Sequence, residues 1–427
     1  MPRALSARDL STIGARLKTA NHALATSYPG DSTVRQPVHT FITGGDAFTV
    51  DSAQRIGAHA LETLERFAGT PQAFAKVLGV PTAYPGLAEA VRTRVVDKLK
   101  REPIEDLRLD FEDGYGLRSD AEEDGHAEAA ARAVAAGMAA GTLPPFIGIR
   151  IKPLSRELHA RSLRTLDIFV STVVSAAKRL PGNFAVTATK VMTPEHVASL
   201  ARACSLIERK LKLPRHAIKL ELMIETPQSI IDADGASALR SLVDAGAGRV
   251  RGAHFGVYDY TALCGITAAW QHPRHLACDV ARELMRIALA QTGVTISDGS
   301  SNLLPIPPHV HTAWKTHFDD VTHSLVNGYY QGWDLHPGHL PTRYAAVYAF
   351  YLSALPAATT RLSKFFTKAA KAGAAFDDAA TGQALVNFFT RGLNSGAITL
   401  DEATQTGLTE AELQGQSFKK ILQSRSD

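Results

Sequence analysis

A chain of 427 residues accommodates two or three domains of ordinary size, or one large barrel with appendages. Hydrophobic residues at 45% and charged residues at 21% can bury a sizeable core, which excludes disorder throughout. The formal net charge of +4, with 46 Lys and Arg against 42 Asp and Glu, comes from scattered basic residues and argues against nucleic acid as a partner.

No run of about 18 apolar residues is present, so no membrane span is expected. The N-terminal MPRALSARDLSTIGARL lacks the unbroken apolar stretch of a signal peptide, and the expected location is cytoplasmic. Cys204, Cys264 and Cys278 show no C-x-x-C spacing and read as small core residues in a reducing compartment.

In chain order, residues 1–37 form an N-terminal extension of one helix and a polar loop, expected on the surface of the next unit. VHTFITG (38–44) is the first β-rich run, followed by the amphipathic DSAQRIGAHALETLERFAG (51–69). LRLDFED (107–113) and FIGIRIK (146–152) come next, then the helical 156–180, FAVTATKV (184–191) and the helical 194–211. KLELMIE (219–225), VRGAHFGVYD (250–259), VTISDG (294–299) and GWDLHP (332–337) complete eight strand-like runs. Alternating strand and helix over 38–345 predicts an α/β fold, a (β/α)8 TIM barrel, with helices outside a parallel sheet. A doubly wound open sheet is the alternative; TGGD (43–46) lacks its usual G-x-G-x-x-G turn. Residues 346–427 read as a C-terminal helical extension: 344–355, 364–376, 382–396 and a last helix capped near Thr409 and Glu410.

Side chains that close barrel strands face the active site in this architecture. Here those are Asp110, Glu112 and Asp113, then Arg150, Lys190, Glu225, Asp259, Asp298 and His336. Period two puts Asp110 and Glu112 on one face. Glu225 and Asp259 arrive at one mouth from adjacent strands, a hard-oxygen pair suited to Mg²⁺ or Mn²⁺; singly, each acid could equally cap a helix or pair with an Arg. Arg150, set among apolar residues, needs an anion, either a substrate oxygen or an internal carboxylate such as Glu112. Lys190 fits a Schiff base or an ion pair, and a neighbouring metal favours the ion pair. His336 in DLHPG is a candidate neutral base by position, although a lone strand-end His is more often scaffold.

The segments LRLDFEDGYG, GIRIKPL, TATKVMTPEHV, ELMIETPQSI, FGVYDYTALCGI and QGWDLHPGHLPTRY resemble, in order and spacing, the citrate lyase β-subunit-like and HpcH/HpaI aldolase superfamily. The resemblance implies a (β/α)8 barrel with Glu225 and Asp259 as metal ligands and Arg150 on a substrate carboxyl or carbonyl oxygen. It places Asp110, Glu112 and Asp113 near the metal's waters and matches His336 to the family's IHP segment. Where HpaI-type aldolases carry a catalytic His after the acidic strand, this chain has Asp113. FGVYDYTA partly resembles the G-R-W-D-Y segment of malate synthases, without the Arg.

The expected function is a Mg²⁺- or Mn²⁺-dependent carbon–carbon lyase or aldolase that cleaves a hydroxy acid, or its CoA thioester, through an enolate. Arg150, Glu112 and Asp113 are the expected catalytic residues, and Arg150, Asp110, Lys190 and His336 the substrate-binding ones. The alternatives are a malate-synthase-like condensation of glyoxylate with acetyl-CoA and a non-catalytic ligand-binding barrel. A homo-oligomer is expected, because Phe365, Phe366, Phe376, Phe388, Phe389, Leu413 and Ile421 carry apolar surface beyond 346. Packing of those helices on their own barrel is the competing expectation.

Overall fold

The computed structural model describes residues 4–32, 34–80, 83–372, 379–413 and 417–426. Phe376 therefore lies outside the described residues. All eight β-rich runs become strands: β1 (His39–Gly44), β2 (Asp106–Asp110), β3 (Phe146–Ile151), β4 (Phe184–Ala188), β5 (Lys219–Ile224), β6 (Val250–Phe255), β7 (Thr295–Ser297) and β8 (Gly332–Asp334). They pair in parallel in the order β7-β6-β5-β4-β3-β2-β1-β8. The ring closes between the short outer strands through two backbone hydrogen bonds, Asp298 N to Gln331 O at 2.9 Å and Trp333 N to Gly299 O at 3.5 Å.

The helices are α1 (Ala7–Ser27), α2 (Ser52–Ala68), α3 (Pro71–Leu78), α4 (Leu87–Arg101), α5 (Asp120–Ala140), α6 (His159–Ala177), α7 (Pro194–Lys210), α8 (Pro227–Ile230), α9 (Leu239–Ala245), α10 (Val257–Leu263), α11 (Leu276–Leu289), α12 (Val310–Val326) and α13 (Leu340–Ala372). Four more follow: α14 (Ala379–Ser395), α15 (Leu400–Thr404), α16 (Glu410–Leu413) and α17 (Phe418–Ser426). The architecture is a (β/α)8 barrel with a C-terminal helical region. None of the described helices is long and apolar enough to cross a membrane.

The strands are shorter than the apolar runs that announce them. β2 stops at Asp110 because its carboxylate accepts the N–H groups of Glu112 (2.9 Å) and Gly114 (2.7 Å), which turns the chain out of the ladder. β6 stops at Phe255, so Asp259 sits in the first turn of α10.

Side chains facing into the lower barrel are charged and paired, as burial requires. Arg108 is fully buried and contacts Asp106 (2.6 Å) and Glu221 (2.8 Å). Gly148 makes room for it, since a Cβ there would collide with Ala185 O and Arg108 Nη1. Glu221 also takes Arg251 (2.8 Å) and His254 Nε2 (3.1 Å). Trp333 Nε1 donates to His254 Nδ1 at 2.9 Å, which assigns the imidazole proton to Nε2. Despite its burial, Glu221 is held well below the usual carboxylate range by Arg108 and Arg251.

A second buried network lies on the outer face of β8. Asp334 accepts Arg343 Nη2 (2.9 Å) and pairs with His317 Nε2 (3.0 Å), with His39 Nδ1 at 3.6 Å. His339 stacks on His317 at 4.4 Å and donates from Nε2 to Leu303 O (3.1 Å).

The C-terminal helices cover their own apolar residues. Phe389, Leu413, Phe418 and Ile421 are buried, and Phe365, Phe366 and Phe388 are partly buried against the same continuous core. Arg94 on α4 meets Glu402 on α15 at 2.6 Å, tying this region to the barrel's helices. Of the surface expected to need a partner, Phe389, Leu413 and Ile421 are thus covered within one chain, and Phe365, Phe366 and Phe388 are covered in part.

Burial pushes His39 down to about 4 and His339 down to about 3, so both stay neutral in the fold. The unfolded chain binds these protons from about pH 6.5 downward. Their stabilising contribution is present above about pH 6.5 and lost as pH falls through 4 and 3, with a slope up to about 1.4 kcal/mol per pH unit per histidine. Denaturant titrations between pH 6.5 and 4 should show falling stability, with a slope shallower by about one proton in His339→Gln. An unchanged slope would contradict the assignment.

Candidate active site

The carboxyl ends of the strands open into a cavity of about 720 Å³ lined by residues from every strand end except β4, within the range of small-molecule sites. Its walls are partly apolar, with Phe41, Ile56, Met223, Val257, Trp333 and Leu335. Its polar side groups the acids at the ends of β2, β5 and β6.

Asp110 and Arg150 are register partners across β2 and β3. Arg150 Nε and Nη2 donate to Asp110 Oδ1 (2.6 Å) and Oδ2 (2.7 Å). The fork is thereby spent on Asp110, while Nη1 lies 3.4 Å from Glu112 Oε2, and Arg150 lines the cavity. Arg150 also stands over the Trp333 ring at 5.6 Å. Burial disfavours its charge, but Asp110, Glu112 and Glu225 outweigh that and raise its pKa.

Lys190 follows β4 with a left-handed backbone, φ 48°. That conformation aims its N–H at Glu225 Oε1 (2.7 Å). Its ammonium reaches Glu112 Oε1, Asp113 Oδ2 (3.0 Å) and Asp259 Oδ2 (3.7 Å). Glu225 is 2% exposed; burial, with Asp259 and Glu112 nearby, pushes it up to about 8 against the pull of Lys190. Gly256 is required beside it, because a Cβ there would collide with the Glu225 side chain. Glu112 is raised by burial, whereas Asp113, although partly buried, is lowered by Lys190.

Asp110, Glu112, Asp113, Arg150, Lys190, Glu225 and Asp259 thus converge. His336 does not join them: its Nδ1 accepts Gly338 N–H (3.0 Å), its ring packs on His59 at 5.6 Å, and it does not line the cavity. Asp298 is paired to the buried Arg282 at 3.0 Å. Trp333 and Tyr258 line the cavity without having been singled out in the sequence. Period two along GWD, with Trp333 inward and Asp334 outward, was the available signal for the first.

Asp110, Glu112, Asp113, Glu225 and Asp259 supply five carboxylates against the two cations Arg150 and Lys190. A divalent cation fits this donor set, since hard oxygens in anionic excess suit Mg²⁺ or Mn²⁺. Among the described residues, the group of three whose ligand atoms all lie within 4.8 Å of one another is His317, Asp334 and His339. Asp334 there is already neutralised by Arg343, and none of the three lines the cavity.

The barrel is similar to a citrate lyase from Burkholderia xenovorans LB400, with 18% identity, 74% of this chain and 92% of that one covered, and a TM-score of 0.55. It is also similar to Haloferax volcanii malate synthase in its magnesium/glyoxylate complex, with 11% identity, 87% and 98% covered, and a TM-score of 0.47. A third is the protein CitE from Mycobacterium tuberculosis in complex with magnesium and acetate, with 15% identity, 74% and 91% covered, and a TM-score of 0.41. At such identities the likeness is one of fold. No curated protein matches the chain. The model of the family described as a domain of unknown function, DUF6986, matches residues 17–421, and the chain belongs to that family.

Proposed function

We propose that the protein is a Mg²⁺- or Mn²⁺-dependent carbon–carbon lyase of the citrate lyase β-like and HpcH/HpaI aldolase type, acting on a hydroxy acid or its CoA thioester. The observation that carries this reading is the excess of carboxylates over cations around one cavity. Glu225 and Asp259 would hold the metal. When bound, it would add positive charge where the reaction develops negative charge on a carbonyl oxygen.

The chain's own residues supply the rest. A carboxylate of Glu112 or Asp113 takes the substrate's hydroxyl proton. The O–H electron pair then forms a new carbonyl, the adjacent C–C bond breaks, and its electrons settle on the other half as an enolate. The guanidinium of Arg150, held in place by Asp110, lines the cavity and would donate an N–H to that oxygen. Lys190, bridging Glu112 and Asp113, fixes the position of both carboxylates, and the one that acquired the proton returns it to the enolate carbon. Condensation would run through the same enolate in reverse, so the same residues serve a malate-synthase-like direction.

A substrate panel with purified protein tests the function: release of pyruvate or glyoxylate, or consumption of a CoA thioester, should require Mg²⁺ or Mn²⁺ and stop with EDTA. Activity insensitive to EDTA would overturn the metal-dependent reading.

Calorimetry should show one Mg²⁺ or Mn²⁺ per chain, with binding lost in Glu225→Gln and weakened in Asp259→Asn. Unchanged affinity in both variants would remove the site. Arg150→Lys keeps a charge but loses the fork that fixes Nη1 against Asp110. Turnover should fall on the order of 10²–10³, while the melting temperature moves by only a few degrees. A variant with near-normal turnover would make Arg150 a scaffold residue.

A further inference from the structure

The cavity at the barrel mouth divides its chemistry by strand. Asp110, Asp113, Glu225 and Asp259 line it with carboxylates, and Arg150 is the one cation among its described lining residues. That guanidinium is already held by Asp110 through two hydrogen bonds. Lys190 does not line the cavity and is occupied by Glu112 and Asp113. Even with a divalent ion held by Glu225 and Asp259, the lining carries more negative than positive charge.

The opposite arc is uncharged. β8 and β1 are neighbours in the ring, and β1 stands across it from β5, the strand that Glu225 follows. This arc supplies Phe41 and Ile42 from β1, Trp333 from β8, and Leu335 and Pro337 just beyond it, while α2 adds Ile56. Thr43, Tyr258 and Ser300 contribute neutral polar groups. These can hydrogen-bond to a hydroxyl or carbonyl, but they cannot neutralise a carboxylate. Shortly after β1 comes another acid, Asp46, whose carboxylate lies where a Cβ on Gly44 would be. It is paired with Arg118 at 3.3 Å, and neither of the two lines the cavity.

We propose that the substrate carries a single carboxylate. Its oxo- or hydroxy-acid end occupies the acidic, metal side of the cavity, and the half set free as a carbonyl compound is uncharged and apolar, packed on the β1–β8 arc. This rests on the metal-dependent lyase reading above and adds to it the class of substrate. A second carboxylate on the released half would exchange water for a wall that offers it no free cation, and desolvating an unpaired charge is costly. The acids across the cavity would repel it as well. An alkyl or aryl group in the same place exchanges water for Phe41, Ile56, Trp333 and Leu335, which is favourable.

Calorimetry on the full chain with Mg²⁺ compares two oxo acids of similar size: α-ketoisocaproate, with one carboxylate and a branched alkyl group, and α-ketoglutarate, with two carboxylates. The first should bind at least about 10-fold more tightly. Neither should bind Glu225→Gln, which locates both at this site. Leu335→Arg places a cation on the apolar arc at a residue 36% exposed, where a larger side chain is accommodated. It should raise the affinity for α-ketoglutarate to at least that for α-ketoisocaproate. α-Ketoglutarate binding the parent chain as tightly as α-ketoisocaproate overturns this inference and leaves the metal-dependent reading standing. A preference that Leu335→Arg leaves unchanged also overturns it. Absence of binding by both acids in the presence of Mg²⁺ overturns the lyase reading together with the inference built on it.

Discussion

The mouth of the barrel is organised around Asp110. Its two oxygens accept four hydrogen bonds, two from Arg150 and one each from the N–H groups of Glu112 and Gly114. One buried carboxylate therefore ends β2, sets the loop that carries Glu112 and Asp113, and aims the arginine. Charge-assisted bonds of this kind are about twice as strong as neutral ones. Leaving the guanidinium unpaired in so buried a place would cost several kcal/mol. The direction of Arg150 Nη1, the reach of Lys190 to Glu112 and the geometry of the acid pair all descend from that pairing.

Beneath it the barrel is filled by charge rather than by the branched aliphatics usual in this architecture. Arg108, Asp106, Glu221, Arg251 and His254 form a closed set, and Trp333 links it through His254 to the cavity floor. The lower set balances two arginines against two carboxylates, although Arg108 Nε and Asp106 Oδ1 find no hydrogen-bond partner. The upper set is not balanced, and that contrast separates a supporting layer from a layer with capacity for a ligand. The Trp333 ring under Arg150 is the contact between them.

The alternation of strand and helix and the period-two acids made the barrel and its acidic mouth legible in the sequence. What stayed hidden depends on register and on what covers a face. Arg150 could have paired with Glu112 or a substrate; the cross-strand register that sets it opposite Asp110 is a property of the assembled sheet. LRLDFED reads as one strand through Asp113, but side-chain capture of two backbone N–H groups ends it at Asp110. His336 looked like its neighbours at other strand ends, and only the three-dimensional turn shows that its ring caps Gly338. Periodicity showed that Phe389 and Ile421 had apolar helix faces without showing that their own chain covers them.

The ring of strands is not equally strong all round. Between β7 and β8, each three residues long, two backbone hydrogen bonds replace a ladder, and one of them joins Gly299 to Trp333, both in the cavity wall. β7 and β8 are thus the neighbours in the ring that share no ladder. The strands that carry Asp110, Arg150 and Glu225, namely β2, β3 and β5, are laddered on both sides. An edge with so few bonds opens at lower free-energy cost than a laddered pair, and it lies in the cavity wall, apart from the strands that hold Asp110, Arg150 and Glu225.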